Sequence, residues 1–302
     1  MPSGILLLDK PRGLSSNGAL QRVRALFLGQ KAGHVGSLDP LATGMLPICL
    51  GEATKIAGQI LAGRKRYRFT VALGAGTASG DAEGAFTTTA PVPPFDRAAV
   101  DALLARFRGS QTQIPPMYSA LKRAGQPLYK LARAGVTVTR AARAIEVFEL
   151  SLLALGPASL ELEALCSKGT YIRVLAEDLA VALGTCGHVT ALRRLYVEPF
   201  ESEPMHTLES LAETRARGAW PQLLSTDWPL GHLTAVRLTA GEAQRLLSGQ
   251  SVMAEVAGAP GAVRLYDEAG TFLGLGEADG RGAVRPRRLL NPASRSSVAV
   301  HL

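Results

Sequence analysis

Long apolar runs are missing from this chain of 302 residues. No stretch approaches the roughly 18 apolar residues that a spanning helix requires. Ile5–Leu8 is too short for the apolar core of a secretory leader. The expectation is a protein of the cytoplasm, without leader or membrane anchor. Cysteine is scarce: Cys49, Cys166 and Cys186 lie far apart, and no CxxC pair occurs. That excludes a disulfide framework and points to reduced thiols. None of the five histidines has zinc-ligand spacing. Neither a Walker A sequence nor G-x-G-x-x-G follows a strand-like segment, so a nucleotide-dependent enzyme has no support.

Acidic residues are absent from two long tracts. Ala102–Ile145 contains none, but holds Arg106, Arg108, Lys122, Arg123, Lys130, Arg133, Arg140 and Arg143. Beyond Asp279 there is again no acid, while Arg281, Arg285, Arg287, Arg288 and Arg295 follow. A third basic cluster is Arg64-Lys65-Arg66-Tyr67-Arg68. The net charge is +8 and the sequence pI about 9.7. Three single-sign blocks predict a surface that tracks phosphates, with nucleic acid the expected partner.

What is present is enough apolar material, 47%, for a sizeable core. Residues 4–9 read as a buried strand. Ser15 or Ser16 caps a helix bearing Leu20, Val23, Leu26 and Phe27. Tyr67, Phe69, Val71 and Leu73 alternate as in a strand. Asp96 caps a helix with Val100, Leu103, Leu104 and Phe107. Ala144–Leu155 and Ser159–Ser167 read as strands around Gly156-Pro157, followed by a helix from about Tyr171 to Leu183 and a strand at Val189–Val197. This pattern predicts an α+β domain with a mixed or antiparallel sheet. Composition shifts near Trp228-Pro229-Leu230-Gly231. The remaining roughly 70 residues suffice for a small β-rich module, with a Thr239…Glu242 capping box and a hairpin around Glu268-Ala269-Gly270.

The most informative segment is Gly33-His34-Val35-Gly36-Ser37-Leu38-Asp39-Pro40-Leu41-Ala42-Thr43-Gly44. It presents one carboxylate among glycines, and Pro40 disfavours helical geometry at Asp39. Local pattern alone favours a turn-forming aspartate bonded to nearby backbone.

The run from Gly33 to Lys55 nevertheless resembles the signature of the TruB family, the tRNA pseudouridine-55 synthases. Leu7-Leu8-Asp9-Lys10-Pro11, Pro116–Lys122 and Cys166-Ser167-Lys168-Gly169-Thr170-Tyr171-Ile172-Arg173 match it in order. The resemblance implies a pseudouridine synthase fold over 1–229, including a thumb-like basic insertion at about 115–143, and a PUA-like RNA-binding domain over 230–302. It implies a cofactor-free isomerase that flips uridine 55 out of the T loop of tRNA, a monomer acting on the T arm. Asp39 corresponds to the family nucleophile, Arg173 to its ion-pair partner, and Tyr67 to the active-site tyrosine that stacks on the base. A further role that the resemblance implies for the Tyr67 hydroxyl is help in removing the C5 proton. Tyr171 and Leu192 correspond to residues lining the base pocket, and His34 to the residue that fills the vacated stack. Thr170 is expected to cap the helix carrying Arg173. By pattern alone Tyr67 reads first as an ordinary sheet-packing residue, Tyr171 and Leu192 are equally core residues, Arg173 is a surface arginine and His34 a loop histidine. Val35 and Ser37 depart from the family pattern, and the role of Asp81 is left open. The competing reading is a non-catalytic RNA-binding or tRNA-folding protein with the same basic surface, for which an ionised Asp39 facing a polyanion would be a cost.

Overall fold

In the computed structural model, residues 2–123, 125–256 and 259–291 are described; Arg295 lies outside them. The first half runs β1 (Gly4–Lys10), α1 (Ser16–Leu26), β2 (Ala32–His34), β3 (Thr43–Leu50), α2 (Ala57–Ala62), β4 (Lys65–Leu73), β5 (Ala75–Thr77), β6 (Phe86–Thr89), α3 (Arg97–Arg106) and β7 (Gly109–Gln113). The basic insertion contributes β8 (Lys122–Arg123), β9 (Gln126–Pro127) and α4 (Leu128–Arg133). Then come β10 (Arg143–Gly156), β11 (Ser159–Cys166), α5 (Ile172–Ala182), β12 (Gly187–Val197) and α6 (Leu208–Ala216). The C-terminal part comprises β13 (Thr234–Arg237), α7 (Ala240–Leu247), β14 (Val252–Met253), β15 (Gly261–Tyr266), β16 (Phe272–Ala278) and β17 (Ala283–Leu289).

The main sheet is ordered β1-β3-β12-β4-β11-β10-β7, with β2 added to β3. Every pairing is antiparallel except β3 with β12, so the expected mixed sheet is present. The unbroken apolar run of β1 has a physical reason: both of its faces are covered. Leu6 and Leu8 join the helices α1, α3 and α5 in one core, while Ile5 and Leu7 join a second core beyond the opposite face. Ser15 and Asp96 cap α1 and α3 as the sequence predicts, and Gly184 follows α5 at φ 82°. Thr170 does not cap α5. Its hydroxyl donates to the Ser167 carbonyl, and the Gln113 side chain reaches over from β7 to accept from Tyr171 N and donate to Tyr171 O. The residue that precedes the helix is thus held by a side chain remote in sequence.

Strands β13–β17 form a separate five-stranded sheet with α7 against it, and the Thr239–Glu242 capping box is formed. This β-rich part is not merely tethered. Tyr266, Phe272, Leu275 and Leu290 share the second core with Ile5, Leu7, Met45 and Phe200. Glu52 accepts from Asn291 N at 2.7 Å, and Lys55 donates to Leu289 O at 2.7 Å. Each large apolar side chain buried here is worth about 1.5–3 kcal/mol. A chain cut after Leu230 is therefore expected to melt about 10 °C or more below the full chain in a thermal unfolding experiment. An unchanged melting temperature would mean that the two parts are stable independently.

Candidate active site

On the side of β3 away from β1, β2 pairs with residues 48–50, while β12 pairs with residues 43 and 44. The segment 35–42 spans the interval between those pairings and carries Asp39 as irregular backbone, as the Asp-Pro sequence requires. Its backbone is fixed from several directions. Ser16 Oγ accepts from Leu38 N at 2.7 Å and donates to Leu38 O at 3.0 Å. Pro40 O accepts from Gly13 N at 2.8 Å and from Lys10 Nζ at 3.4 Å. Lys10 is buried and also donates to Pro11 O and Leu14 O, which keeps its ammonium supplied with acceptors although burial pushes its pKa down to about 8.

Arg173, in the first turn of α5, meets Asp39 across 134 positions of sequence. The pair is two-pronged: Nε lies 2.9 Å from Oδ2, and Nη2 donates to Oδ1 at 3.2 Å. The same guanidinium donates to Tyr118 O at 2.7 Å and to Ser79 O. Asp81 stands 3.7 Å from Nε and is fixed by bonds from the Ser79 hydroxyl and Glu83 N. The two acids differ in access. The Asp81 side chain is 5% exposed and the Asp39 side chain 37%, so Asp39 is the carboxylate open to an incoming molecule.

Two of the remaining expected residues are close enough to feel this pair, while Leu192 and His34 have no contact with it among the described residues. Tyr67 on β4 and Tyr171 at the start of α5 both feel the Asp39 carboxylate. Leu192 on β12, opposite Phe69 in register, lines a cavity of about 180 Å³ together with Leu41 and Thr43 from the Asp39 side of the sheet. His34 ends β2, and its Nδ1 is buried without a hydrogen-bond partner.

Three family models match in succession. "TruB family pseudouridylate synthase (N terminal domain)" covers residues 24–172, "tRNA pseudouridylate synthase B C-terminal domain" 173–224, and "Pseudouridine synthase II TruB, C-terminal" 234–290. A tRNA pseudouridine synthase B of Chromohalobacter salexigens is 50% identical over 97% of this chain and 96% of its own length. The chain belongs to the TruB family. It is an isomerase, a tRNA pseudouridine synthase. A Coxiella burnetii relative of the same description is 47% identical over 95% of this chain and 94% of the relative. Among solved structures, an H/ACA RNP bound to a substrate RNA containing 2'-deoxyuridine superposes with a TM-score of 0.73 at 20% identity, covering 96% of this chain and 85% of that one. A Cbf5-Nop10-Gar1 complex gives 0.69 at 22%, covering 92% and 79%. These likenesses show the pseudouridine synthase fold.

In this TruB chain the Arg173 guanidinium does not fully offset the burial of Asp39. Burial raises the Asp39 pKa above its usual 3.8, and Asp81 adds to the rise; Arg173 and Lys10 oppose it without cancelling it. The folded protein therefore favours the protonated acid more than the unfolded chain does. If Asp39 must be ionised, the single-turnover rate falls as pH drops through a midpoint above 3.8. Asp81→Asn removes a neighbouring negative charge and moves that midpoint down. A wild-type midpoint at or below 3.8 would contradict this assignment. Burial, with Asp39 among the smaller causes, also raises the Tyr67 pKa, so its phenol stays protonated. Burial and then Arg194 depress His34, which favours the neutral ring suited to stacking.

The TruB chain's basic blocks divide into two kinds. The 64–68 cluster is largely spent inside the protein. Arg64 pairs with Glu198 at 2.6 Å, Arg66 with Glu149 at 2.6 Å and Glu163 at 2.9 Å, and Lys65 donates to Leu61 O and Gly63 O. Glu163 sits on the adjacent strand β11, Glu149 one strand further on β10 and Glu198 in the turn after β12, which is why the linear sequence hides them. The insertion differs: among the described residues no salt bridge involves a cation between 106 and 143. Arg133 lies over the Tyr129 ring at 5.8 Å. In the C-terminal block Arg285 pairs with Glu277, while Arg287 and Arg288 are exposed. Sequence reasoning missed Lys10, Ser16, Ser79 and Arg194 as supports of the site. Lys10 lay within a quoted motif, but nothing linear tied it to Pro40.

Proposed function

We propose that this enzyme acts on uridine 55 in the T loop of tRNA, with Asp39 as the group that engages the flipped nucleotide. The observation that carries the reading is the two-pronged Arg173–Asp39 pair on a half-open carboxylate. A guanidinium fork holds an anion in one orientation while leaving its remaining lone pairs for substrate.

The isomerisation breaks the N1–C1′ bond, turns the uracil and joins C5 to C1′; C5 loses its proton and N1 gains one. The balance needs no redox partner and no group donor. Extruding a nucleotide costs a few kcal/mol of stacking. Neutral His34, ending β2 one residue before the Asp39 segment, is assigned to fill the vacated place. Tyr67 is assigned to stack on the uracil, with Tyr171 and Leu192 bounding its pocket. The unpaired cations and the tyrosines of residues 115–143 suit a thumb that closes on the T arm by phosphate contact and stacking. We assign 230–302 as a PUA-like RNA-binding part, buttressing the 1–229 catalytic part through the shared core. The enzyme is assigned to the cytoplasm as a monomer. Among the described residues no helix is long and apolar enough to cross a membrane.

The test is the substrate. Unmodified tRNA and its isolated T-arm hairpin are both expected to be converted. A tRNA with cytidine in place of the T-loop uridine is expected to gain no pseudouridine. Equal conversion of the cytidine-substituted tRNA would place the target elsewhere.

A further inference from the structure

Arg194 is the largest side chain of the fully buried set, 1% exposed, and no carboxylate lies within salt-bridge distance of it among the described residues. Its neighbour Arg193, by contrast, is half-exposed and paired with Asp9 at 2.8 Å. An arginine cannot shed its charge. Burying it costs several kcal/mol unless its donors are met, and a methionine of similar bulk would avoid that cost. What the fold obtains in return is visible in where the donors go. Nε donates to Met45 O at 2.7 Å and Nη2 to Gly36 O at 3.0 Å. These carbonyls bracket the segment that carries Asp39. The guanidinium also lies beside the Tyr67 hydroxyl, its partner position across the β12–β4 pairing.

The backbone is shaped to receive this side chain. Gly36 sits at φ 70°, and a Cβ there would come within 3.1 Å of Arg194 Nη1. Gly44 sits at φ 99°, and a Cβ there would collide with the Arg194 carbonyl oxygen. Both glycines border the Asp39 segment, and both leave their side-chain space to one residue.

We propose that Arg194 is the positioning residue of the active site, clamping both ends of the Asp39 segment through Gly36 O and Met45 O and tying that segment to Tyr67. It touches no substrate. It sets the separation between the carboxylate and the ring that packs on the base before RNA arrives. This rests on the reading of Asp39 as the reacting group.

The clamp needs a fork, since one ammonium lacks the reach to hold both carbonyls and face the phenol. Displacements of about 1 Å at a reacting group cost about a hundredfold in rate. Arg194→Lys is therefore expected to lower kcat about tenfold and Arg194→Met about a hundredfold, with KM and tRNA Kd held within about twofold of wild type. Rates are taken per folded molecule, below the melting temperature of each variant. Should Arg194→Met fail to fold, Arg194→Lys alone decides. Because Arg194 acts on Tyr67 as well, the Arg194→Lys loss should shrink in a Tyr67→Phe background. Wild-type kcat in a folded Arg194→Lys variant overturns the proposal. So does a loss carried wholly by KM, or full additivity with Tyr67→Phe. Asp39→Asn in the same assay keeps the two claims separate: turnover by that variant defeats the reading of Asp39 whatever Arg194 does.

Discussion

Asp39→Asn is expected to leave tRNA affinity within about threefold of wild type and to lower turnover about 10⁴-fold or more. The amide keeps the shape of the side chain and one acceptor for the Arg173 fork, so the segment 35–42, held by Ser16, Lys10 and Gly13, stays in place. What disappears is the ionised oxygen. Binding rests on other groups, the unpaired cations of the 115–143 insertion and of the C-terminal strands, and removing a negative charge from the cleft does nothing to weaken them. Filter binding and single-turnover pseudouridine formation, measured on one tRNA, separate the two quantities. A parallel fall in both would make Asp39 a contact for RNA rather than the reacting group.

Arg173→Lys carries the second large effect. Arg173 is 3% exposed and supplies Asp39, Ser79 O and Tyr118 O from one plane. A lysine reaches one of these at a time and abandons the others. The turnover rate is expected to fall about 10²–10³-fold. Breaking a buried pair by losing its partner costs about 3–5 kcal/mol; the retained charge and the partial exposure of Asp39 place this variant at the low end, a drop in melting temperature of several degrees. Arg173→Met removes the charge too, so the acid limb of its pH profile should move to higher pH than wild type. Near-wild-type turnover in Arg173→Lys would show that the fork is dispensable. The bond to Tyr118 O adds a consequence for RNA engagement, because Tyr118 lies at the root of the basic insertion. Its loss should also loosen that segment in hydrogen exchange.

Much of the framework could be read from the chain. Alternation at Tyr67–Leu73 and the caps at Ser15 and Asp96 are local signals, and local signals survive folding. The Asp39 loop was visible as irregular backbone for the same reason. Its partner was not: Arg173 lies in a helix far along the chain, and only the family resemblance linked them. Where satisfaction comes from a distance, sequence reading failed. Thr170 has the chemistry of a cap, yet the bonds at Tyr171 are made by Gln113 from β7. The 64–68 cluster looks like a phosphate track until the fold pairs it with Glu149, Glu163 and Glu198 from 83 or more residues away. Arg193 and Arg194 are indistinguishable in sequence, but adjacent strand residues face opposite ways. One meets Asp9 near the surface; the other disappears beneath the active site.

The proposed reaction depends on a single carboxylate acting at a single uridine. Its most direct test locates pseudouridine, nucleotide by nucleotide, in an unmodified tRNA incubated with wild type and with Asp39→Asn at saturating enzyme. The expected result is one new pseudouridine, at position 55, made by wild type alone. Pseudouridine at that position from the asparagine variant, or at another position from wild type, would contradict it.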